Sequence, residues 1–296
     1  MHSHRASSTA RLIARSTLLA ARDPERHRLV PPGTGPPLAA MLAADGDALW
    51  FQFALHHPGA GALLRGVERA VLPGIITHYL ARKHWLEHAA TTALNNGCSQ
   101  VVVLGAGFDS LAWRLHRRRP AVRFFELDHP ATQAPKRKAL CVEANFNFLA
   151  SDLAVESPAA ILRACPAFSA KRPTLFLAEG LLMYFPKKRV AALLRELATV
   201  TRPPAQVLFS FMAAAPDGSI TFRGEHAVVG WWLRRQRESF QWGIARADLP
   251  AFLETCGLRL VALADHDVLR AQILAPLGLA ELPLARGECL CRCATS

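Results

Sequence analysis

Four short stretches place small or acidic residues where a ligand could use them. The run QVVVLGAG (100–107) ends in Gly105-Ala106-Gly107, where missing side chains let a ligand approach the backbone. Asp128 follows 23 positions after Gly105, closing VRFFELD, and a carboxylate there can accept both hydroxyls of an adenosine ribose. Ser151-Asp152-Leu153 and Ala178-Glu179-Gly180 end the next two apolar runs. One such feature is common, and tight turns or helix caps would account for Gly107, Asp109 and Ser110. Four in succession point to an adenosine-containing cofactor. Ser110 stands where a dinucleotide fingerprint would place its third glycine, so no pyrophosphate cradle is formed. S-adenosyl-L-methionine lacks a pyrophosphate, and its sulfonium and ammonium groups suit the surrounding acids.

These residues need a frame that carries them to one edge. Apolar runs at 100–107, 122–128, 146–152, 173–180 and 205–212 read as buried parallel strands. Helical patterns at 75–94, 111–115, 135–144, 157–165 and 187–201 separate them, and Asn95-Asn96-Gly97 stops the first. Strand and helix in alternation imply right-handed crossovers and a sheet covered on both faces. Later strands at 258–265 and 287–295 complete an α/β, Rossmann-like, seven-stranded and mostly parallel sheet. The rhythm breaks at about 213–243, where Trp231, Trp232, Phe240 and Trp242 suggest an acceptor pocket or lid. Residues 1–74 read as an N-terminal helical extension and 75–296 as the catalytic domain. In the extension, Arg5, Arg11, Arg15 and Arg22 without acids resemble a transit peptide, but a short helix from Thr9 to Ala21 is the preferred reading. PPGTGPP (31–37) reads as a stiff connector, and His56-His57-Pro58 as a loop.

The 296 residues are 51% hydrophobic, which excludes a chain dominated by disorder, and no apolar stretch is long enough to suggest a membrane span. The net charge of +12 could attract a polyanion. Its sources are short scattered runs, Arg117-Arg118-Arg119, Lys136-Arg137-Lys138, Lys187-Lys188-Arg189 and Arg234-Arg235, which read as solvated surface. Seven cysteines without a secretory signal suggest reduced thiols and a cytoplasmic protein. His84-Trp85-Leu86-Glu87-His88 spells a zinc-hydrolase pattern, yet it lies on the helix feeding the first strand, so no metal is expected.

In YLARKHW (79–85), QVVVLGAGFDSLAWRL (100–115), FFELDHP (124–130), ASDL (150–153), AEGLLMYFP (178–186) and LRRQRESFQWG (233–243), the chain resembles the leucine carboxyl methyltransferases and their bacterial relatives. These are class I S-adenosylmethionine-dependent O-methyltransferases. The resemblance covers about 70–296. It implies that Arg82 grips the methionine carboxylate, that Gly105 lies against the cofactor, and that Asp128 holds the ribose. It further implies that Asp152 and Leu153 bracket the adenine, that Glu179 flanks the methionine portion, and that Tyr184 lies near the transferred methyl.

A small-molecule or peptide carboxylate is the expected acceptor, because it is ionised at neutral pH and needs no general base. Arg234 or Arg235 would orient it. Two other readings stay open: an RNA methyltransferase, against which the missing Asn/Asp-Pro-Pro-aromatic motif counts, and a non-catalytic cofactor-binding protein. The oligomeric state is not legible.

Overall fold

The computed structural model describes residues 7–46, 57, 59–202, 204–236 and 238–295. Arg5, His56 and Pro58 lie outside the described residues.

Among the described residues eight strands form one sheet: β1 (Gln100–Leu104), β2 (Arg123–Asp128), β3 (Phe146–Ala150), β4 (Thr174–Ala178), β5 (Ala205–Ala213), β6 (Gly243–Ile244), β7 (Leu258–Ala264) and β8 (Glu288–Thr295). Their order is β3-β2-β1-β4-β5-β8-β7, with the two-residue β6 beside the end of β5. β1 to β5 pair in parallel, and β8 runs antiparallel to both β5 and β7. Strand order therefore reverses between β1 and β4, the place where open sheets bind ligands beyond their carboxyl ends. Val103 of β1 lies level with Glu126 of β2 and Leu177 of β4, so Gly105, Asp128 and Glu179 emerge along one edge.

Side chains alternate through the sheet into two cores, as a pleated strand buried on both sides requires. Val102, Phe125, Phe176, Phe209 and Cys291 face one core. That core is covered by helices at Pro158–Ala164, Lys187–Thr199 and Leu249–Glu254. Val101, Val103, Phe124 and Leu208 face the other, under helices at Ile75–Asn95 and Leu111–Arg118. Cys289, Cys291 and Cys293 are packed thiols in the first core.

Two expectations change. A helix occupies Gly35–Ala44 where a stiff connector was expected, because Pro36 and Pro37 fall in its first turn, where their missing N–H groups forfeit no bond. The 213–243 segment contributes the end of β5, a helix at Ala227–Arg235 and β6. Its Trp242 belongs to the core, 5.6 Å from the Phe252 ring, while Trp231 is 52% exposed. The helix at Ser8–Ala20 packs Ala14 and Leu18 with Leu38, Met41, Phe108 and Leu140, closing the extension onto the turn after β1. Among the described residues, no helix is long and apolar enough to cross a membrane.

Candidate functional site

A cleft with a cavity of about 190 Å³ lies over the carboxyl edge of β1, β2 and β4. At its floor the chain leaves β1 through Gly105 and Gly107, with φ of 62° and 53°, a backbone region that side chains oppose. A Cβ on Gly105 would also stand 2.7 Å from the Leu181 side chain. Asp128 ties the turn to β2: its Oδ2 accepts from the Gly107 N–H at 2.6 Å, and its Oδ1 from the His129 N–H at 2.6 Å. Burial pushes the Asp128 carboxyl up, against the pull of those two bonds.

The same turn is gripped from beneath by Lys136, which is only 1% exposed. Its Nζ donates to the Asp109 carbonyl at 2.6 Å and lies 2.8 Å from Glu126 Oε2. Burial raises the Glu126 carboxyl to about 7 despite that partner. Lys136 is therefore structural, unlike the solvated residue expected from its basic run.

On the β4 side, Arg82 is buried between two carboxylates. Its Nη2 lies 2.8 Å from Glu179 Oε1, and its Nη1 2.8 Å from Glu288 Oε2. His78 Nε2 reaches the same Glu288 oxygen at 2.8 Å. Burial alone would raise Glu288, but the Arg82 charge and the His78 contact hold it at about 2. Lys83 pairs with Asp109 and reaches Glu179 at 3.2 Å, so both cations converge on Glu179 Oε1. The Arg82 guanidinium also sits 5.0 Å above the Tyr79 ring.

The roof comes from the start of the N-terminal helix and the 213–243 segment. Glu238 accepts from the Ser8 N–H at 3.0 Å and the Thr9 N–H at 2.9 Å, and also bonds the Thr9 hydroxyl. A carboxylate suits those unpaired N–H groups at a helix start. Phe240 packs 5.6 Å from Tyr184 and 6.1 Å from Phe222. Burial drives the Tyr184 hydroxyl well above the usual range for a phenol.

The cleft thus brings together Arg82, Gly105, Gly107, Asp128, Glu179 and Tyr184. It does not include Asp152 or Leu153. Asp152 closes its own turn, accepting from the Ala154 N–H at 3.0 Å, and Leu153 packs in the core. Arg234 and Arg235 are exposed on the outer face of their helix, whose buried residue is Leu233; Arg235 lies over the Trp231 ring. They are not placed to orient anything in the cleft. Residues missed in the sequence include Tyr79, Lys83, Glu238 and Glu288. Only Lys83, adjoining Arg82, and Glu288, the lone acid of an apolar strand, carried a signal. Glu87 of the histidine pattern is held by Arg114 through two contacts of 2.7 Å.

Comparison with known proteins fits this geometry. The chain is 31% identical over 194 residues to a Mycobacteroides abscessus protein provisionally named an S-adenosyl-L-methionine-dependent methyltransferase, covering 63% of this chain and 61% of that one. It is 30% identical over 206 residues to a Mycolicibacterium paratuberculosis protein of the same name, covering 67% and 62%. The matches thus span about three fifths of the curated relatives' length. A Thermobifida fusca crystal structure described provisionally as a methyltransferase shares the fold, with a TM-score of 0.59 and 14% identity over 88% of this chain and 94% of that chain. The model of the leucine carboxyl methyltransferases matches residues 18–198, which contain the glycine turn, Asp128, Arg82 and Glu179. With its Rossmann-like sheet and a match over more than half its length, the chain belongs to the leucine carboxyl methyltransferase family.

Proposed function

We propose that this chain transfers a methyl group from S-adenosyl-L-methionine to an acceptor oxygen. The observation that carries this reading is the alignment of Gly105, Gly107, Asp128, Arg82 and Glu179 along one sheet edge at the strand-order reversal.

The donor set suits the cofactor. Asp128, half-buried and anchored by two backbone N–H groups, presents a fixed carboxylate to the ribose hydroxyls. Lys136 and Lys83 both hold the Gly107–Asp109 turn at Asp109, one through its carbonyl and one through its carboxylate, so the backbone beside the adenosine is set before binding. Arg82 offers a cation to the methionine carboxylate, and Glu179 an anion to its ammonium group. Acidic lining as a whole favours a sulfonium.

When bound, S-adenosyl-L-methionine supplies a sulfonium methyl: an acceptor lone pair forms the O–CH3 bond, the S–CH3 bond breaks, and sulfur keeps its electron pair as S-adenosylhomocysteine. Tyr184, Phe240, Phe222 and the first turn at Ser8–Ala10 line that region and would hold the acceptor in line. Positioning of this kind is worth up to ~7–11 kcal/mol of a barrier. An ionised acceptor enters as the oxyanion, and a hydroxyl releases its proton to water. The carboxylate expectation rests on an acceptor ionised at neutral pH without a general base; Arg234 and Arg235, expected to orient it, face solvent and do not line the cleft. Isotope-labelled S-adenosyl-L-methionine incubated with the chain and a library of oxygen acceptors tests the reading. Label appearing in a methyl ether or ester supports it, and binding without transfer to any acceptor would make the chain a non-catalytic cofactor-binding protein.

A further inference from the structure

The cleft is charged against the molecule that contains it. The chain carries +12 overall, yet the cavity is lined by Asp109, Glu126, Asp128, Glu179, Glu238 and Glu288 against Arg82 and Lys83. Both cations are already held by carboxylates, Arg82 by Glu179 and Glu288, and Lys83 by Asp109 and Glu179.

Beyond Glu179 the wall is Tyr79, Met183, Tyr184, Phe222 and Phe240. Met183, Phe222, Phe240 and Tyr184 form one apolar cluster. Among its described residues, the 213–243 segment adds a single charge to this end, the carboxylate of Glu238, which is 7% exposed. An anion brought here would lose water and meet a like charge and the negative faces of aromatic rings, while the lining cations Arg82 and Lys83 are held by carboxylates and Arg82 is taken by the cofactor. An uncharged ring loses little on entry and gains the aromatic walls.

Resting on the methyltransferase reading above, we propose that the acceptor end takes an uncharged, ring-bearing hydroxyl compound and rejects a free carboxylate, with Glu238 as the residue that sets this preference. Rejection by an unmatched charge is an ordinary route to specificity, since it discriminates without adding contacts to the accepted partner.

The test is calorimetric titration of 2-naphthol and 2-naphthoate into the full chain, with and without saturating S-adenosylhomocysteine, near neutral pH where only the second is ionised. In the loaded protein, 2-naphthol binds about tenfold more tightly or better. Glu238→Gln retains an oxygen for one of the Ser8 and Thr9 N–H groups, and it narrows the ratio about threefold or more by strengthening the naphthoate. A thermal melt reports whether the variant is folded, and the wild-type ratio needs no variant at all. Equal binding, tighter naphthoate, binding of neither, or an unchanged ratio in the folded variant overturns the proposal. Failure of S-adenosylhomocysteine itself to bind overturns the methyltransferase reading instead, and the cofactor-free titration separates the two.

Discussion

At the β1–β2 end of the cleft, Asp128 bonds Gly107 across 21 positions; at the roof, Glu238 bonds Ser8 across 230. The first end is made by neighbours in sequence, two parallel strands and the turns that leave them. The second is assembled from an N-terminal helix, an insertion after β5 and the last strand. Arg82 joins them, with one carboxylate partner after β4 and the other on β8. A binding floor can thus be written into local sequence, while selectivity is written into pairs that meet only after folding.

Removing that join has the largest expected effect. Arg82→Met leaves the buried Glu288 with only His78 and takes one of two cations from Glu179, a loss of ~3–5 kcal/mol measurable by urea unfolding. Stability unchanged in the variant would show that the two ends are not linked through this residue. Lys136→Met disturbs the floor alone. Its cost is smaller, ~2–3 kcal/mol, because Glu126 can take up a proton once its partner is gone. Melting curves at neutral and mildly acid pH check this, the penalty shrinking as pH falls.

The two ends also respond to pH with opposite sign. Glu288 sits at about 2 against an ordinary 4.5, so its contribution is present above 4.5 and is lost as pH falls toward 2. Glu126 is raised from 4.5 to about 7, so the folded chain binds the proton more tightly, and stability is lost as pH rises across that interval. Each limb is on the order of a few kcal/mol. Melting temperature against pH should lose its acid limb in Glu288→Gln and its near-neutral limb in Glu126→Gln. An unaltered profile in either variant contradicts the assignment.

Glu238→Ala unfastens the roof at a cost of ~0.5–2 kcal/mol, the range for a lost helix cap. Hydrogen exchange should speed up over Ser8–Ala14 while the amides of β1 and β2 stay protected. Smallest of all are Arg234→Ala and Arg235→Ala. Each should shift stability by no more than ~0.5 kcal/mol and leave acceptor affinity as it was. A large loss of affinity in either would return the insertion's arginines to the site.

Legibility in the sequence follows the same division. Seven strands and three of the first four crossover helices could be read from apolar runs, because burial on both faces leaves an uninterrupted pattern; the helix expected at 135–144 lies at Pro130–Ala139, and the two-residue β6 carries no such run. Gly105, Gly107, Asp128 and Glu179 could be read because strand ends converge on one edge whatever the loops do. Lys136 was hidden by its neighbours: Arg137 and Lys138 are exposed, and only the helix phase turns the first residue of the run inward. Arg234 and Arg235 were misplaced for the converse reason, as a helix of unknown orientation gave no indication of which face met the cleft. Glu238 and Glu288 depend on contacts more than 200 positions apart, and no local spacing encodes such partners.

The most direct test is calorimetric titration of S-adenosylhomocysteine into the wild-type chain and into Asp128→Asn. Binding of one equivalent per wild-type chain, weakened at least about tenfold in a variant that melts normally, is the expected result. No uptake by the wild type, or equal affinity in the two proteins, would contradict the cofactor site at the reversal of strand order.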